Sequence, residues 1–148
     1  MTDINSDREV LAATLFGEAR GETLAGKRAV AVVVMNRVKQ SAGRPQFGDG
    51  TVRGACLHPY QFSCWNEGGD ESQRSMLLAL YFQDPRLNAD SLLATCLSVA
   101  DAAIAGKLID QVHGATFYKV STLPWPKTWG EEKPPVCVIG HHSFYKGL

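Results

Sequence analysis

Leu24-Ala25-Gly26-Lys27-Arg28-Ala29-Val30-Ala31-Val32-Val33-Val34-Met35-Asn36-Arg37-Val38-Lys39 is the stretch on which the fold turns. Its apolar centre, residues 29–35, is rich in β-branched side chains, which alone favour a buried strand, and so short a run has no period to decide the matter. Length decides it. With residues 36–39 continuing the element it is long for a strand, and it reads as a central helix buried nearly all round.

Before this helix, Ser6 with Glu9 three positions on fits a capping box, which ties off the free N–H groups of a first turn. Val10, Leu11, Thr14, Leu15 and Glu18 then share one helical face, and Gly21 is a natural stop, so a helix is predicted over 7–20. After it, residues 41–70 are rich in Gly, Pro, Asp and aromatics and read as irregular. Helices are predicted over 71–81 and 91–105, the second closed by Gly106. Two strand-like runs follow, 115–120 and 136–145, separated by a segment with four prolines and two tryptophans. The reading is one domain over 1–148, α+β but mainly helical, with a small sheet near its end.

Composition narrows the function. At 148 residues and 45% hydrophobic, the chain can bury a core without staples. Fifteen basic residues balance fifteen acidic ones, so no general field attracts nucleic acid or anionic lipid. No apolar run approaches the roughly 20 residues of a membrane-spanning helix, so no membrane anchor is expected. Cys56, Cys64, Cys96 and Cys137 form no CxxC pair and read as four reduced thiols. A zinc corner from Cys56, His58 and Cys64 matches no standard ligand frame, and a Cys56–Cys64 bridge is a minority reading. Neither metal nor cofactor is expected.

Glu18 is the odd residue of the first helix, a carboxylate where the stripe asks for Leu or Ala. The ordinary fate of such a residue is to reach solvent or to pair with a base, here Arg20 or Arg37. Its position argues otherwise. In the last turn the helix dipole disfavours a further negative charge, and partial burial does the same; both favour the protonated form that a general acid needs. Glu22 lies one turn on, but Gly21 intervenes, so the paired-carboxylate geometry of a retaining glycosidase is not assumed. Glu22 is read as a partner for the start of the second helix.

Residues 15–22, Leu-Phe-Gly-Glu-Ala-Arg-Gly-Glu, followed by Gly26 and Ala29-Val30-Ala31-Val32-Val33-Val34-Met35-Asn36-Arg37-Val38, resemble the opening of the SleB-like cell wall hydrolases, which include spore-cortex-lytic enzymes and phage lysins. The resemblance continues through Gln61-Phe62-Ser63-Cys64, Gly114-Ala115-Thr116-Phe117-Tyr118 and Ile139-Gly140-His141-His142-Ser143-Phe144-Tyr145, in the family's order and over nearly the whole chain. It implies a lysozyme-like, lytic-transglycosylase-like domain with a small antiparallel sheet. It also implies peptidoglycan as substrate, cut between N-acetylmuramic acid and N-acetylglucosamine, with Glu18 as acid and then base. The substrate's own acetamido group would stabilise the developing positive charge, so that one enzymic carboxylate suffices.

The same resemblance brings forward further substrate-binding candidates. Gln61 and Ser63 would hydrogen-bond the acetamido group or the glutamate, although turn residues of this kind also bond their own backbone. Tyr118, in the Gly-Ala-Thr-x-Tyr block, is favoured over Tyr145, since packing is the usual fate of a strand aromatic. His142 matches the family's closing His-x-Phe-Tyr, although a lone histidine is more often structural; His141 is left as surface. Trp125 and Trp129 either wall the glycan or pin their loop to the core. Phage-type relatives commonly carry histidines beside the tyrosine, where this chain has Phe117 and Lys119.

The rivals are a zinc-dependent N-acetylmuramoyl-L-alanine amidase, for which His58, His113, His141 and His142 lack a recognisable ligand spacing, and a non-catalytic wall-binding virion component. The polar residues 1–7 are not a secretory signal. The expected setting is therefore a phage endolysin, a monomer made in the host cytoplasm and released to the wall through a holin-type escort.

Overall fold

The computed structural model describes residues 7–19, 21–58, 62 and 91–148. The proposed cap at Ser6, Arg20, the helix predicted over 71–81, and Gln61, Ser63 and Cys64 lie outside them.

Helix α1 spans Asp7–Ala19 and α2 spans Leu24–Gln40. The β-branched run is thus helical, and all of Ala29–Val34 is buried, as expected for a central helix. Thr23 caps it, its side chain accepting from the Gly26 N–H, so that one free donor of the first turn is satisfied. Helix α1 departs from the one-faced pattern. Val10 to Leu15 are all buried, because α1 packs on several sides at once: on α2, on the short α3 (Val52–Leu57) and on α4 (Ser91–Ile104).

The segment expected to be irregular holds two 3₁₀ turns, Ser41–Gly43 and Pro45–Phe47, and then α3, capped by Thr51. A six-residue helix of Val-Arg-Gly-Ala-Cys-Leu carries too few residues for a period to show. Helix α4 ends as Gly106 suggests. At φ +72 it lets the Lys107 N–H reach Ala102 O and its own N–H reach Ala103 O, the paired bonds of a Schellman ending.

The sheet is antiparallel, with strands β1 (Phe117–Val120), β2 (Cys137–Ile139) and β3 (His142–Tyr145) in the order β1-β3-β2. The run predicted as one strand over 136–145 is instead a hairpin. Ile139 pairs with His142, leaving Gly140 and His141 as a two-residue turn with Gly140 at φ +58, the sign that a glycine-first hairpin turn requires. Because Tyr118 pairs with Phe144, both share the face turned to the helices, where Phe144 is buried with Ala29, Val32 and Val33 of α2. Phe117 pairs with Tyr145, so these two take the opposite register.

That second face is covered by the loop between β1 and β2. Trp125 and Trp129 set their edges on Tyr145, with ring centroids 5.0 and 5.7 Å away, and Trp129 also meets Phe117 at 5.3 Å. These tilted and edge contacts are the favoured aromatic geometry, and they pin the loop to the sheet. Among the described residues, no helix is long and apolar enough to cross a membrane. Cys56, Cys96 and Cys137 are free thiols; burial pushes the first two up to about 12 and about 11. Such thiols behave as small apolar core residues.

Candidate active site

Glu18 comes from the last turn of α1 and is partly exposed. Across the gap to the sheet, the Tyr118 hydroxyl donates to Glu18 Oε1 at 2.8 Å. Tyr118 is in turn held by rings: His142 stands edge-on to it at 4.9 Å, and Phe144 lies behind at 6.0 Å. The site therefore forms where the end of the first helix meets the helix-facing side of the sheet.

Helix α2 anchors the strand that carries Tyr118. Asn36 donates from Nδ2 to Ala115 O at 2.9 Å, and Arg37 from Nε to Thr116 O at 2.6 Å. Both side chains are buried, so each of these bonds forms in a low-dielectric setting where an unpaired polar group is costly. Only 3% exposed, the Arg37 guanidinium lies over three rings, at 4.7 Å from Phe62, 5.2 Å from Phe117 and 5.5 Å from Phe47. Burial pulls it down to about 10, while Tyr118, Cys56 and Glu18 act in the opposite sense. At neutral pH it stays a cation beside the Glu18–Tyr118 pair.

Glu22 does something the sequence reading did not foresee. Its backbone, not its carboxylate, serves the start of α2: the Glu22 carbonyl accepts from the buried Lys27 ammonium at 2.5 Å. The carboxylate turns to the β2–β3 hairpin. Oε1 accepts from the His141 backbone N–H at 2.8 Å, Oε2 lies 2.6 Å from His141 Nδ1, and His142 Nδ1 is 3.4 Å from Oε1. Burial pushes this carboxyl up, but the bonds from the His141 ring and backbone and the two imidazoles outweigh it and hold Glu22 below its ordinary 4.5. A carboxylate this well held is a poor proton donor.

His142 is buried, with burial pushing it below its ordinary 6.5 against the pull of Glu22 and Glu18. It stands behind Tyr118 rather than in the open. His141, read as surface, is indeed 80% exposed, yet it is engaged with Glu22. Tyr145 does not reach the site. It is 4% exposed, in register with Phe117 and packed under the two tryptophans. Of the candidates, the fold brings Glu18, Tyr118 and His142 together and adds Glu22 and Arg37.

A family model described as cell wall hydrolase matches residues 21–145. The chain belongs to the cell wall hydrolase family. The match opens at Gly21, so Glu18 stands just before it and Glu22 within it. A spore cortex-lytic enzyme of Bacillus subtilis (strain 168) is 29% identical over 143 residues, covering 95% of this chain and 37% of the relative. One from Oceanobacillus iheyensis is 34% identical over 90 residues, covering 57% of this chain and 31% of the relative. The chain thus spans about a third of the length of these curated relatives. Among solved structures, the catalytic domain of the germination-specific lytic transglycosylase SleB from Bacillus anthracis superimposes with a TM-score of 0.63 at 26% identity, covering 98% of this chain and 97% of that one. The catalytic domain of SleB from Bacillus cereus gives 0.62 at 26% identity, covering 99% and 93%. The mainly helical domain with a small antiparallel sheet is therefore the SleB catalytic-domain fold.

Proposed function

We propose that this single domain cleaves the glycan strand of peptidoglycan between N-acetylmuramic acid and N-acetylglucosamine as a lytic transglycosylase, with Glu18 as acid and then base. The observation that carries the assignment is the contrast between the two carboxylates. Glu22 is locked by donors, whereas Glu18 is partly exposed and meets a hydroxyl that can donate to it in its ionised form. Similarity to the catalytic domain of the germination-specific lytic transglycosylase SleB supports the reaction class.

In the first half-reaction Glu18 gives its proton to the glycosidic oxygen and the C1–O bond breaks, with the substrate acetamido group sharing the positive charge at C1. The Tyr118 O–H then steadies the carboxylate just formed. In the second half-reaction Glu18 takes the proton of the muramic C6 hydroxyl as its oxygen closes onto C1, leaving a 1,6-anhydro end. Water attacking C1 instead would leave a reducing end. Gln61 and Ser63 are proposed as contacts to the acetamido group, and His142 as support for Tyr118.

Mass spectrometry of fragments released from purified sacculi tests the reading. Anhydro-muramic ends are expected. Reducing ends would mean hydrolysis, and free lactyl groups would mean an amidase. The endolysin setting expected from the sequence is a separate proposal, tested by comparing release from vegetative sacculi with release from spore cortex.

A further inference from the structure

The Glu22 carboxylate occupies a space that the fold has cleared for it. A methyl group at Gly26 would come within 2.8 Å of Glu22 Cβ, and one at Gly140 within 2.7 Å of Oε1. Two glycines, on α2 and on the β2–β3 turn, thus leave room for one side chain that is only 7% exposed. The bonds it makes to the hairpin span 119 residues of sequence and start two residues before α2. A carboxylate placed for helix capping alone needs none of this.

We propose that Glu22 is a positioning residue for Glu18: it clamps the β2–β3 turn to the α1–α2 turn and so fixes His142 behind Tyr118, and Tyr118 against the Glu18 carboxylate. The inference rests on the reading of Glu18 as the catalytic acid. The links are a close approach without a hydrogen bond, a ring contact and a hydrogen bond. Glu22 Oε1 lies 3.4 Å from His142 Nδ1, the His142 ring meets Tyr118 edge-on at 4.9 Å, and the Tyr118 hydroxyl reaches Glu18 at 2.8 Å.

The charge state of His142 matters to this chain of contacts. The groups facing it are Glu22 from the α1–α2 turn, Glu18 from α1, Tyr118 from β1 and His141 from the hairpin turn; Arg37 of α2 faces Tyr118 and Glu18 from behind. A neutral His142 places no positive charge beside the Glu18 carboxyl. An imidazolium there would add one, and a nearby positive charge opposes proton retention by a general acid. Activity is therefore lost on the acid side as His142 gains its proton. Glu22 favours that proton and His141 opposes it, so their removal shifts the acid limb in opposite directions.

The test uses Glu22→Gln, His141→Ala and Glu18→Gln, assayed for release from purified sacculi across pH, with a thermal melt for each. Glu22→Gln is expected to lower kcat between about ten- and a hundredfold with KM little changed. Its acid limb should move down by about half a pH unit or more, and that of His141→Ala should move up. A merely structural Glu22 would alter the melt and leave both limbs where they are. If Glu18→Gln is inactive while a folded Glu22→Gln keeps the wild-type kcat and pH profile, the inference falls and the assignment of Glu18 stands. If Glu18→Gln works at the wild-type rate, that assignment falls and takes the inference with it. Should Glu22→Gln not fold, the exposed His141→Ala decides: an upward limb shift supports the inference and an unchanged profile overturns it.

Discussion

The Tyr118 hydroxyl donates to Glu18 Oε1 at 2.8 Å, joining the end of the first helix to the first strand across 100 residues of sequence. Under the proposed assignment of Glu18 as the acid, this contact ties the sheet to it. A hydrogen bond to a charged group contributes about 1.5–3 kcal/mol, and here it is strongest once Glu18 has given up its proton. Tyr118→Phe keeps the ring against His142 and Phe144 and removes this bond. The expected result is a fall in kcat of about tenfold or more with KM nearly unchanged, read from initial rates of sacculus release.

Arg37 is expected to resist its most conservative replacement. The guanidinium spreads over Phe62, Phe117 and Phe47 while Nε holds Thr116 O, and a lysine ammonium reproduces neither the flat stacking nor that bond. Arg37→Lys should cost about 2–4 kcal/mol in urea unfolding, since a buried cation loses its partners. Activity should fall as well, because residues 115–118 lose their anchor.

Gly140 and Gly130 make a matched pair of probes. Both have positive φ, +58 and +77, so an alanine at either is strained by about 1–2 kcal/mol. Only at Gly140 does the new methyl strike Glu22, whereas nothing lies within 4 Å at Gly130. Both variants should lose stability in denaturant, and Gly140→Ala alone should also lose kcat.

Acid should loosen the fold in two stages. His142 is held below 6.5 in the folded chain, so as pH falls through that value the unfolded chain binds the proton first and stability drops. Glu22 is held below 4.5, so its contribution is intact above that value and is lost as pH falls through it. Melting temperatures measured from pH 8 to pH 3 should decline below about 6.5 and again below about 4.5. Glu22→Gln should shrink the second decline, leaving the part that Asp49 contributes.

The sequence made α2 legible because its length outweighed the β-branched bias of Val30 to Val34, and Gly106 marked the end of α4 by backbone freedom alone. Glu18 stood out since one helical face needs no tertiary information to lay out. The hairpin at Gly140-His141 was harder. The apolar runs on either side merged into one apparent strand, although a glycine-first pair between Ile139 and His142 was the available signal. The face that Tyr145 takes was not legible either, since it depends on register, and a turn of two residues inside the run sets that register anew. For Glu22 only the local part, at the start of α2, was legible; its carboxylate's partners lie 119 residues away and nothing local announces them. The proposed substrate comes from the resemblance, which local physics could not replace.

The role of Glu18 as the acid is tested by the rate at which Glu18→Gln releases fragments from purified sacculi, with its fold checked by thermal melting. The amide keeps the shape of the carboxyl group and has no acidic proton to give. An intact melt and a rate reduced by roughly 10²–10⁴, the contribution of a positioned general acid, are expected. A folded Glu18→Gln that lyses sacculi as fast as wild type would contradict that role.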